Sequence, residues 1–75
     1  MKAILQTILL PLSKYKNLKE AKKYIKSHGY KLKWRNKLPE QKGNFWHFRQ
    51  NDKNKSKKYF THKKKSGEEY VFFLI

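Results

Sequence analysis

The stretch Met1 to Leu12, MKAILQTILLPL, is apolar on both of its alternating sides, and no other feature narrows the fold as much. Ile4, Ile8, Leu10 and Leu12 fall on one side of an extended chain, and Ala3, Leu5 and Leu9 on the other. That is the pattern of an interior strand covered on much of both faces. The same stretch is a poor signal peptide or membrane span. Gln6 and Thr7 interrupt it, no small-residue cleavage pattern follows, and it is far short of the roughly 20 apolar residues of a spanning helix. Pro11, which has no N–H for a ladder, should mark the strand's exit.

The 75 residues allow one small domain and one core, which excludes a two-domain enzyme. With 20 Lys and Arg against 5 Asp and Glu, the net charge is +15, about twice the upper end of the range of 2 to 8 that suits a small soluble domain. A protein of this mass has roughly 5,000 Å² of accessible surface, so uncompensated positive charge is dense and polyanions are the natural partners. AT-rich codons account for part of the lysine excess, but not for the depletion of acids, which is the informative half. The absence of cysteine removes disulfides, thiolate zinc sites and cysteine nucleophiles, and it fits a reducing compartment.

A helix is signalled next. Asn17 can cap it, Glu20 three positions on completes a pair resembling a capping box, and His28-Gly29 supplies a last-turn imidazole and a glycine for the left-handed position beyond the end. Leu18, Ala21, Tyr24, Ile25 and His28 share one arc, and Lys19, Lys22, Lys23 and Lys26 a neighbouring one. Such a lysine stripe is commonly an ordinary solvated face, but that pattern normally brings interspersed acids, and only Glu20 occurs here.

From Tyr30 the period changes to two. Tyr30, Leu32 and Trp34 alternate with Lys31, Lys33 and Arg35, which predicts a half-buried strand with a cationic outer row. Asn36 to Asn44, with Pro39 and Gly43, reads as a loop. Phe45 to Gln50 reads as a strand whose aromatics are either core or an exposed stacking surface, the core reading being the stronger in so small a protein. Asn51 to Lys57 reads as a polar turn or loop and Lys58 to His62 as a short strand at a sheet edge. Lys63-Lys64-Lys65-Ser66-Gly67 reads as a hairpin tip and Tyr70 to Ile75 as a final apolar strand. The expected fold class is therefore α+β: one domain over 1–75, with an antiparallel or mixed sheet of four to five strands and one helix on one face, in the order β-α-β-β-β-β. A single helix covers only part of such a sheet, so basic and aromatic groups should remain on the opposite face unless a partner hides them.

No catalytic constellation emerges. His28, His47 and His62 are widely spaced, the acids Glu20, Glu40, Asp52, Glu68 and Glu69 form no metal-binding set, and no glycine-rich phosphate loop is present. A non-enzyme without cofactor or metal is expected. His28 reads as a cap or helix-dipole partner. Arg49, which follows Phe48, could stack on a ring, hold a partner's carboxylate, or pair internally with Glu20 or Glu40.

Lys19 to Lys31, KEAKKYIKSHGYK, followed by Asn44 to Gln50, NFWHFRQ, resembles a small module of tailed phages and large DNA viruses. In that module an Ala-Lys-x-aromatic-aliphatic-Lys-x-His-Gly-Tyr-Lys helix end precedes an Asn-aromatic-x-x-Phe-Arg-Gln strand. The likeness extends to Lys14-Tyr15 and, more loosely, to the last strand. It implies a viral origin and a virion or packaging role, although this chain is far richer in lysine, notably over Lys53 to Lys65. The expected function is non-specific binding to the backbone of DNA or RNA. The expected contacts are Lys19, Lys22, Lys23, Lys26, Lys31, Lys33, Arg35, Arg49, Lys63, Lys64 and Lys65. The alternative is a minor capsid or cement protein that meets an acidic capsid surface or the packaged genome, and an inhibitor of an acidic host protein is a third. The corresponding location is the virion or the host-cell interior, without membrane association.

Overall fold

The computed structural model describes residues 2–33, 39–51 and 58–74. Among these residues five strands and one helix follow the expected order: β1 (Ala3–Pro11), α1 (Leu18–Ser27), β2 (Glu40–Lys42), β3 (Phe45–Arg49), β4 (Tyr59–Lys63) and β5 (Glu69–Leu74). The strands form one antiparallel sheet in the order β2-β3-β1-β5-β4. The doubly apolar β1 takes the middle, as its pattern requires, and it runs to Pro11, where the missing donor ends the ladder. The fully exposed β4, which ends at Lys63, lies at one edge of the sheet.

Cross-strand partners share a face, so the register sorts the side chains. Ile8 stands opposite both Phe48 and Tyr70, and Leu10 opposite Trp46. On this face α1 packs through Ala21 and Ile25, both fully buried, with Leu18 and Tyr24 partly buried beside them. Ile8, Leu10, Ile25 and Phe48 are the largest fully enclosed side chains, each contributing about 1.5–3 kcal/mol by leaving water. Trp46 belongs to this core rather than to a stacking surface, and its indole N–H donates to the Tyr15 carbonyl at 2.9 Å. The second face carries Thr7, Leu9, Phe45, His47, Arg49, Val71 and Phe73. Phe73 is buried there and the others named are half-buried, so this face is more covered than its sequence implies.

A register shift between Leu5 and Thr7 in the β1·β5 pairing leaves Gln6 as an extra residue, a β-bulge. Its carbonyl accepts the backbone N–H groups of Gln50 and Asn51 at 2.6 and 3.2 Å, and the Asn51 amide donates to the Leu5 carbonyl. The bulge thereby fixes where the chain leaves β3.

The helix ends follow the sequence signals. The Asn17 side chain accepts from the Glu20 N–H at 2.9 Å, while the Glu20 carboxylate reaches back one residue beyond the cap, to the Lys16 N–H. At the other end Gly29 adopts φ 76°, and the bonds Tyr30 N–H to Ile25 O and Gly29 N–H to Lys26 O complete a Schellman motif.

Two expectations are corrected. Tyr30 to Lys33, the described part of the strand expected at Tyr30 to Arg35, form no strand. The Gln50 side-chain amide instead bonds both backbone groups of Lys31. Its Oε1 accepts the Lys31 N–H, and its Nε2 donates to the Lys31 carbonyl, each at 2.8 Å. A side chain thus takes the place that a neighbouring strand would occupy. Conversely, the segment expected as a loop over 36–44 contains β2, which pairs with β3 across a two-residue Gly43-Asn44 turn with Gly43 at φ 58°. The fold class and element order stand, but the second strand sits further along the chain. The loop expected at Asn51 to Lys57 lies, from residue 52 on, outside the described residues, as do Trp34 and Arg35.

Candidate nucleic-acid interface

Because α1 buries Ala21 and Ile25, its opposite side presents Lys19, Lys22, Lys23 and Lys26, all exposed. Among the described residues none of the four is ion-paired. Lys19, Lys22, Lys23 and Lys26 line a shallow groove of about 510 Å³ whose other wall includes Leu32. The segment beyond Gly29 therefore matters to the interface even though it is not a strand: Leu32 packs against the core and carries Lys31 and Lys33 beside the helix. Lys31 is anchored through its backbone, and its ammonium sits 3.4 Å from the Gln50 carbonyl oxygen.

A second groove, of about 420 Å³, adjoins the first through Glu20 and Lys23 and ends at Lys14, Tyr15 and Tyr24. Lys14 joins the helix side to the β4–β5 tip. Its ammonium lies 3.0 Å from Glu68, a carboxylate that is 2 % exposed and also accepts from the Tyr15 hydroxyl at 3.2 Å and from Ser66. Burial pushes the Glu68 carboxyl up, but the hydrogen bonds from Ser66 and Lys14, the Lys14 charge and the Tyr15 hydroxyl outweigh it and hold it below its ordinary value. Burial first, then the neighbouring Glu68 charge, pushes the Tyr15 hydroxyl up to about 12. This network is structural: it fixes the root of the lysine tip. At the tip, the Lys64 N–H donates to the Glu68 carbonyl at 2.8 Å, and the Lys64 ammonium lies 5.2 Å from the centre of the Tyr70 ring. Gly67, at φ 104°, lies so close to Pro11 that an added Cβ would be 3.3 Å from its Cγ. Lys63, Lys64 and Lys65 are all exposed.

The remaining predicted contact, Arg49, is placed elsewhere. It sits on the second face opposite Thr7 and lines a cavity of about 120 Å³ with Lys33, Lys42 and His47. The internal pairing considered for Arg49 does not form, since Glu40 pairs with Lys42 at 3.3 Å and Glu20 is engaged at the helix cap. His28 acts at the helix end as expected: its Nδ1 lies 2.9 Å from the Tyr24 carbonyl oxygen and its ring stacks on Tyr24. Among the described residues no group of His, Asp and Glu is arranged to hold a metal ion, and no helix is long and apolar enough to cross a membrane.

The groove lined by Lys23 thus ends at Lys14, whose pairing with Glu68 reaches the root of the tip, and Leu32 lines both the larger groove and the Arg49 cavity. Lys14 lines the second groove and Lys42 the Arg49 cavity without having been singled out by the sequence. Lys14 had one available signal, its place beside Tyr15 in the likeness to the viral module. Among the described residues the exposed large aromatics are Tyr59 and Phe60 on edge strand β4, 40 % and 43 % exposed, and not the β3 aromatics. Comparison with protein-family models, with curated proteins and with solved structures finds no match to this chain.

Proposed function

We propose that this protein binds the sugar-phosphate backbone of nucleic acid without sequence specificity, as a non-catalytic component of viral or phage type. The observation that supports this most is the state of the charges. Glu20, Glu40 and Glu68 are consumed by a helix cap, a neighbouring lysine and a buried network, while the four helix lysines face solvent with no acidic partner among the described residues. A surface of that kind attracts a polyanion and releases its counterions on contact. The grooves along α1 follow the exposed helix for its length and give phosphates a continuous track.

The test is salt-dependent binding to duplex and single-stranded oligonucleotides. With about five phosphates engaged, log affinity falls with log salt at a slope near −4.5, a loss of roughly 500-fold between 50 and 200 mM. Replacing Lys22, Lys23 and Lys26 with Gln leaves the melting temperature unchanged, weakens every sequence alike and flattens the slope by up to about three. A flat salt response, or no binding at low salt, refutes the reading. A second reading, as a minor capsid or cement protein, is favoured by Tyr59 and Phe60, whose exposed rings on an edge strand suit a protein interface. In that case Phe60→Ala releases the protein from assembled particles while the triple lysine change does not.

A further inference from the structure

The cavity beside β3 differs in kind from the grooves along α1. It encloses about 120 Å³, under a quarter of the volume of the larger groove, yet several times what a single water needs. Among the described residues its cationic lining comes from three places in the chain: Lys33 after the helix, Lys42 on β2 and Arg49 on β3. Arg49 is half-buried, and among the described residues its guanidinium has neither a hydrogen bond nor an ion pair. Lys33 is likewise without an ion pair among those residues. The one carboxylate in the lining among the described residues, Glu40, is held by Lys42 at 3.3 Å. A guanidinium offers five donors in a fixed planar fork. Partly withdrawn from water beside a second unpaired cation, it makes a receptor for a compact oxyanion.

We propose that this cavity receives a phosphomonoester, the terminal phosphate of a nucleic-acid strand, while diester backbone lies in the grooves along α1. The proposal rests on the nucleic-acid reading above. Near neutral pH a monoester carries close to two negative charges and presents three acceptor oxygens, whereas a diester carries one charge and is tethered on both sides. Arg49 engages two of the oxygens through its fork and Lys33 the third. Leu32 forms part of the wall of both the cavity and the larger groove, so a strand ending in the cavity can continue along the helix lysines. His47 supplies a reporter at the site. Burial, and then the Lys42 charge, hold its imidazole below the ordinary value of 6.5 with Glu40 as the opposing charge, leaving it neutral at pH 7.5. A bound dianion counters the Lys33, Lys42 and Arg49 charges around it and moves its titration upward.

The experiment compares one single-stranded 12-mer bearing a 5′-phosphate, a 3′-phosphate or hydroxyls at both ends, by fluorescence anisotropy at fixed ionic strength. The unaltered protein should bind at least one phosphate-ended strand about tenfold more tightly than the hydroxyl-ended strand, and which end is preferred names the source. Inorganic phosphate at matched ionic strength should remove that preference, spare hydroxyl-ended binding and raise the His47 titration midpoint. Arg49→Gln should abolish the preference and keep hydroxyl-ended binding, and Arg49→Lys should restore only part of it because the fork is lost. Equal affinity for all three strands overturns the cavity's role and leaves the nucleic-acid reading standing. A preference that survives in Arg49→Gln overturns the assignment to this cavity. Absence of binding to any strand at low salt overturns the nucleic-acid reading and this proposal with it.

Discussion

Replacing Glu68 with Gln tests whether a buried carboxylate fixes the lysine tip to the rest of the fold. The change keeps the shape and removes the charge. Glu68 accepts three hydrogen bonds, from Lys14, Tyr15 and Ser66. Bonds to a charged acceptor contribute about 1.5–3 kcal/mol and neutral ones about 0.5–1.5, so each hydroxyl bond weakens by about 1 kcal/mol. The Lys14 side chain is 47 % exposed, so solvent screening holds its share to about 0.5 kcal/mol or less. The total is about 2 kcal/mol, which for a domain of this size lowers Tm by about 8–16 °C. Thermal denaturation at pH 7 measures it. The acid limb adds a second reading: the folded carboxyl titrates below its ordinary 4.5, so its stabilisation is present above that pH and is lost as pH falls through the folded value. The parent and the Gln variant should therefore converge in stability on acidification. A Tm within about 2 °C of the parent at pH 7, or a gap that widens in acid, refutes the assignment.

Gln50→Ala removes both bonds to the Lys31 backbone and should cost about 2 kcal/mol, read by urea titration, with faster amide exchange at Lys31. Gln50→Glu should also destabilise, because the donor to the Lys31 carbonyl becomes an acceptor. The His47 imidazole should titrate below 6.5 in an NMR series without phosphate; since its folded value is lowered, its contribution to stability is present above 6.5 and is lost as pH falls. A midpoint at or above 6.5 would contradict its enclosure beside Lys42.

What could be read from the sequence was whatever is encoded locally. Asn17, Glu20 and Gly29 delimit the helix through bonds to residues at most five positions away, so their signals survive without knowledge of the fold. The doubly apolar β1 announced its central place, and the lysine-glycine tip announced the β4–β5 hairpin. The failures are non-local. Tyr30, Leu32 and Trp34 alternate like a strand, but the Lys31 backbone is taken by Gln50, 19 residues away, and nothing in the alternation shows that. β2, with the sequence Glu-Gln-Lys, has no apolar residue, and only the Gly43-Asn44 pair signals its turn. The lysine patches were legible from composition. Their junction through Lys14 was not, because its partner Glu68 lies 54 residues further on.

The central place of β1 bears on how the protein comes to be folded. β1 (Ala3–Pro11) pairs with β3 on one side and on the other with β5 (Glu69–Leu74), which lies far along the chain from it. The middle of the sheet therefore closes only when two distant parts of the chain meet, and such non-local pairing is slow compared with forming a helix or a hairpin. During that interval the most apolar stretch of the chain is without its neighbours, the condition in which nascent chains adhere to one another. The net charge of +15 acts on every copy from the outset. Mutual repulsion keeps unfinished chains apart, so the lysines that face a polyanion in the folded protein also protect β1 from other copies of itself while it waits for β5.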